Sequence, residues 1–155
     1  CGKYASINLP PEMNLYIAYR TDLSEGSEIL HSHLRDDYEA GIPKVLDAMQ
    51  EWASLTDQVR DAIAAGEFHK LPALLNRNFD LRCEVCGKSV SPQNRKMVDL
   101  ARSVGASAKF TGSGGAIIGT YEDAEMLKKL TGVLKEQKIN VLLPRIVTDP
   151  AMAFA

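Results

Sequence analysis

Thr111-Gly112-Ser113-Gly114-Gly115 concentrates three glycines and two hydroxyls in five residues. A two-residue reversal between strands needs one or two glycines, so this run supplies more backbone freedom and more donors than a turn requires. Two uses are open: a hairpin that happens to be glycine-rich, or a nest of main-chain N–H groups brought up to an anion such as phosphate. Two better-known phosphate loops fail here. A Walker A loop places lysine after its second glycine, whereas Lys109 precedes the glycines. A dinucleotide fingerprint needs glycine at its sixth place, which is Ile117, and the following Ala116 to Tyr121 is β-branched and strand-like where both motifs demand a helix.

A second set of polar residues falls on an apolar stripe. Leu71, Leu75, Asn78 and Arg82 succeed one another at helical spacing, so an amide and a guanidinium share the face of two leucines. Either backbone carbonyls at the helix end satisfy them, or they line a cleft, where arginine can grip a carboxylate or phosphate bidentately. His31 and Arg35 sit one helical turn apart with Ser32 between them, which suits an exposed face equally well. Cys83-Glu84-Val85-Cys86 is an isolated CxxC, and the three histidines lack ligand spacing, so these cysteines read as structural and no metal site is expected.

The elements that must hold these residues follow from pattern. Strands are expected at 4–9 and 13–20, separated by Pro10-Pro11. Helices are expected from Ser27 to about Ala40, from Pro43 to near Gly66, from about Phe68 to Cys83 and from about Pro92 to Val104. In the second of these, Val45, Met49, Trp52, Val59 and Ile63 mark the buried face. Strands at 107–111 and 116–121, a helix at 123–137 and a strand at 139–147 complete the chain. From Met13 the order is strand, helices, strand, strand, helix, strand. That is an α+β, ferredoxin-like split βαβ sandwich with additional helices in the first crossover.

With 155 residues and 45% hydrophobic content the chain suits one core and a single domain, 1–155. A formal net charge of -2 gives no basic footprint for nucleic acid. No apolar run approaches the roughly 20 residues needed to cross a bilayer, so no membrane partner is expected. Three cysteines, an odd count, suit a reducing compartment, and a cytoplasmic location is the expectation. The first residue is Cys1 rather than Met, which reads as a piece of a longer polypeptide.

Gly105-Ala106-Ser107-Ala108-Lys109-Phe110-Thr111-Gly112-Ser113-Gly114-Gly115 resembles the third conserved motif of the GHMP small-molecule kinases, a glycine-rich turn in the C-terminal domain of a two-domain enzyme. HSHLR (31–35) and NRNFDLR (76–82) are most similar to glucuronokinase-like sugar kinases, so the resemblance runs in order along nearly the whole chain. It implies transfer of the ATP γ-phosphate to a sugar or related small molecule. It places Thr111, Gly112, Ser113, Gly114 and Gly115 on the ATP side, and Asn78, Arg82, His31, Ser32 and Arg35 on the substrate side. It also implies an N-terminal kinase domain as partner, carrying the serine-rich phosphate loop and the Mg2+ ligands, because no PxxxGLGSS-like segment occurs in this chain. The isolated chain is then expected to be inactive. The alternative is a stand-alone ferredoxin-like module that binds a metabolite or a protein and catalyses nothing.

Overall fold

The computed structural model describes residues 7, 9–11, 13–23 and 34–147. The chain forms β1 (Leu15–Tyr19), α1 (Pro43–Ala64), α2 (Leu71–Cys86), α3 (Pro92–Ser103), β2 (Lys109–Phe110), β3 (Ala116–Thr120), α4 (Ala124–Glu136) and β4 (Asn140–Leu142). A short helical stretch at 34–39 precedes α1. The strands make one antiparallel sheet in the order β2-β3-β1-β4, which is the ferredoxin-like split βαβ arrangement.

Strand periodicity decides which face meets the helices. In β1, Tyr16 and Ala18 are buried while Tyr19 is exposed, and in β3, Ile117 is buried opposite Ala18. Tyr16 lies opposite Gly119, where the missing side chain makes room for its ring, and its hydroxyl donates to Ser107 O at 2.8 Å. Against this face pack Phe79 of α2, Met97, Val98 and Ala101 of α3, and Leu130 and Leu134 of α4. Burial this dense on one sheet face is the main source of stability.

Local signals fix the helix ends. Ser91 caps α3 by accepting from Asn94 N at 3.3 Å, and Asp123 caps α4 by accepting from Met126 N at 2.8 Å. Prolines sit in the first turns of α1, α2 and α3, where a missing N–H costs nothing.

Several expectations shift. The face of α1 that is buried carries Val45, Ala48, Leu55 and Ala62, with Met49, Trp52, Val59 and Ile63 only half-covered, because α1 packs on α2 and small residues permit the close approach. α2 runs three residues past Cys83, so the CxxC lies in its last turn rather than after it. The last strand stops at Leu142 instead of Val147 because Pro144 has no N–H to offer β1. Much of the expected strand at 4–9 and the start of the helix from Ser27 fall outside the described residues; Ile7 and Leu9 are not in a strand.

Candidate phosphate-binding turn

Residues 111–115 join β2 to β3 at the sheet end where β1 finishes, and Arg20 N donates to Gly115 O at 2.9 Å. Thr111 N closes the turn on Ala116 O at 3.2 Å. Arg82, reaching across from α2, donates from Nη1 to Gly112 O at 2.8 Å and from Nη2 to Ser113 O at 3.2 Å. Its guanidinium also lies over the Phe110 ring, 5.0 Å from the centroid.

That clasp orients the turn. In a planar trans peptide the C=O and N–H point in opposite directions, and no cis bond occurs among the described residues. With Gly112 O and Ser113 O both directed at Arg82, the N–H groups of Ser113 and Gly114 are both directed away from it. Two adjacent amides aimed the same way form the smallest anion nest. Gly115 N–H takes no part, since it donates to Asn94 Oδ1 at 2.7 Å in a buried bond.

The surplus of glycine now has causes. Gly115 adopts φ 76°, in the left-handed region, and a Cβ at Gly114 would lie 2.7 Å from Asn94 Nδ2. At Gly112 nothing lies within 4 Å.

A second arginine works in parallel. Arg102 of α3 pairs with Asp80 at 2.6 Å and donates to Asn76 O at 2.8 Å and Ala108 O at 3.3 Å, while Asn76 Oδ1 accepts from Ala108 N at 2.9 Å. The segment leading into β2 is thereby tied to α2 from both its donor and its acceptor side. Lys109, half-buried, donates to Phe110 O at 2.9 Å; burial first, and then the charge of Arg82, hold its ammonium below the usual lysine range. A cation destabilised by these two causes gains from an anion placed beside it.

Of the residues expected at the site, Arg82 and the turn come together. Asn78 is half-buried one helical turn before Arg82, and its carbonyl accepts from Trp52 Nε1 at 3.3 Å. Arg35 is 78% exposed and pairs with Glu39 at 2.7 Å, the ordinary partner of an exposed helical face. His31 and Ser32 lie outside the described residues. The thiols of Cys83 and Cys86 are both half-buried and burial pushes both up, which suits unreactive packing residues. Sequence reasoning missed Asn94, Asn76 and Arg102. Asn94 had a signal: it shares a helical face with Met97, Val98 and Ala101, the same polar-on-apolar pattern that marked Arg82.

Comparison with known proteins identifies the family. The chain is 38% identical over 113 residues to probable glucuronokinase 2 of Arabidopsis thaliana and 37% identical over 111 residues to glucuronokinase 1 of the same plant. These alignments take in 72% and 71% of this chain but only 30% of each relative. Among solved structures, a Lin0012 protein from Listeria innocua superposes with a TM-score of 0.78 at 16% identity, covering 91% of this chain and 41% of that one. The mevalonate kinase of L. major, solved with R-mevalonate, gives 0.71 at 17% identity, covering 88% and 44%. At such identities the superpositions speak for the fold. Residues 59–138, which carry α2, α3, the turn and α4, match the family described as GHMP kinases C terminal, and this chain belongs to that family.

Proposed function

We propose that this chain is the C-terminal half of an ATP-dependent sugar kinase that phosphorylates a uronic acid or a related sugar. One observation carries the reading: Arg82 grips the carbonyls of Gly112 and Ser113, which by peptide planarity turns the amides of the same two peptides to the other side of the turn. Donors fixed in advance at the place where charge develops are the largest contribution a protein makes to phosphoryl transfer. When bound, ATP supplies the γ-phosphoryl group. The turn then offers its amides to the phosphate oxygens, and Lys109 adds positive charge beside them. Arg82 acts from behind, holding the carbonyls so that the amides cannot rotate away. Asn78, His31, Ser32 and Arg35 remain assigned to the sugar side.

Magnesium is a different matter. Among the described residues no group of three or more His, Cys, Asp or Glu side chains gathers to hold a metal ion. The metal ligands and the second phosphate loop are assigned to an N-terminal domain. On this reading 1–155 is one domain of a two-domain cytoplasmic enzyme, and it does not turn over alone.

The non-catalytic metabolite-binding module has one observation in its favour. A cavity of about 630 Å³ opens at the opposite end of the sheet, between Met13, Phe68, Leu71, Tyr121 and Met126. An ATP-consumption assay of the complete polypeptide against uronic acids and neutral sugars separates the two. Turnover with a uronic acid, abolished by Gly114→Val, is the expected result. No turnover with any sugar, together with ligand binding by the isolated chain, would favour the module.

A further inference from the structure

Asn94 lies in the first turn of α3 and is 1% exposed. On a face shared with Met97, Val98 and Ala101, an apolar side chain is the ordinary packing solution. The amide is instead buried with its Nδ2 donor reached by no acceptor among the described residues. An apolar residue of similar shape would spare Nδ2 but strand the buried Gly115 N–H, so the asparagine serves the turn rather than the core it is packed in.

The orientation of the amide follows from its partner. Only an oxygen can accept from Gly115 N–H, so Oδ1 occupies the position 2.7 Å away and Nδ2 is the atom turned toward Gly114. Three consequences for the turn follow. Gly115 N–H is committed to Asn94 and so withdrawn from the nest. Any Cβ at position 114 is barred, since it would sit 2.7 Å from Nδ2. An unspent donor also lies on the Gly114 side of the turn, and the preceding carbonyl, Ser113 O, is held by the longer of the two Arg82 bonds, 3.2 Å against 2.8 Å.

The geometry points to Asn94 as a positioning residue for phosphoryl transfer: gripped by Asn94 on one side and Arg82 on the other, the turn is held in place at the phosphate. This inference rests on the sugar-kinase reading above. Asn94 itself touches no substrate, because its side chain lies beneath the turn.

The test uses the complete kinase polypeptide with ATP and the sugar it phosphorylates. Asn94→Ala is expected to lower kcat by on the order of ten- to a hundredfold, the cost of misplacing reacting groups, with the sugar KM changed by less than about threefold. Asp123→Ala is the control: it removes the cap of α4, which lies beyond the other end of β3 from the turn, and is expected to lower the melting temperature while leaving kcat intact. A purely structural role for Asn94 would make the two variants alike. Should Asn94→Ala fail to fold, Asn94→Asp preserves the shape and the acceptor for Gly115 N–H. Protonating that buried carboxylate removes its charge and returns a donor in the place of Nδ2. Its kcat relative to the parent is therefore expected to climb as the pH is lowered from about 8 to about 6. A ratio close to one and flat across that range overturns the role of Asn94. So does an Asn94→Ala enzyme with near-parental kcat while Gly114→Val is dead. If Gly114→Val is also fully active, it is the phosphate reading of the turn that fails.

Discussion

Replacing Arg82 with methionine keeps the aliphatic stem and removes the guanidinium. The loss includes two hydrogen bonds from a charged donor, to Gly112 O and Ser113 O, and the contact with the Phe110 ring. Hydrogen bonds to charged groups contribute about 1.5–3 kcal/mol each, and the one to Gly112 lies on the exposed side, where solvent competes. A cation over an aromatic face adds about 0.5–1 kcal/mol at such a site. Counting the Ser113 bond in full and the solvent-exposed Gly112 bond as close to zero, the sum is about 2–4 kcal/mol, which in a domain of this size lowers the melting temperature by roughly 5–15 °C. Differential scanning fluorimetry of the isolated chain reads this directly. Arg82→Lys should fall between parent and Arg82→Met, because a single ammonium cannot bridge two carbonyls as a planar fork does. In the complete enzyme the scaffold role predicts a fall in kcat. A melting temperature within about 2 °C of the parent, combined with a raised sugar KM at unchanged kcat, would refute the clasp and make Arg82 a sugar-binding residue.

Two further substitutions probe the sheet and its charge. Gly119→Ala would place a Cβ 1.7 Å from Ser107 O and 2.8 Å from Tyr16 Cε1, where neither backbone nor a fully buried ring can give way. A loss of at least about 3 kcal/mol is expected from urea unfolding, and a near-parental midpoint would contradict the packing. For Lys109 the sign follows from linkage: the folded state binds this proton less tightly than the unfolded chain, whose value is 10.5, so the charge penalises folding at neutral pH and the penalty fades as pH rises through the depressed folded value. Lys109→Met is therefore expected to be more stable than the parent at pH 7, by an amount that shrinks toward pH 10, while its KM for ATP rises. A variant less stable at pH 7 would show that burial is not what governs this residue.

How legible was the site? The turn announced itself because glycine surplus is a local property, and the order of strands and helices followed from periodicities of two and 3.6 that each segment displays alone. Arg82 was legible as an anomaly on an apolar stripe, although two destinations for it stayed open until its bonds to Gly112 O and Ser113 O were in view. The buried face of α1 was misread because large side chains such as Met49 and Trp52 outweigh alanines in any pattern, whereas the contact with α2 selected Ala48 and Ala62. Asn94 was overlooked because its partner, Gly115, is 21 residues away.

The sequence by itself determined the order of the helices and of the four strands that form the sheet, and that residues 108–121 carry a glycine-rich run unlike the two common phosphate motifs. Tertiary structure alone decided how the peptides of the turn are held, because that depends on two grips from different helices, Arg82 on its carbonyls and Asn94 on Gly115 N–H. A peptide plane in a glycine-rich loop has almost no preference of its own. Its direction is set by whatever donors and acceptors the packed helices bring to it.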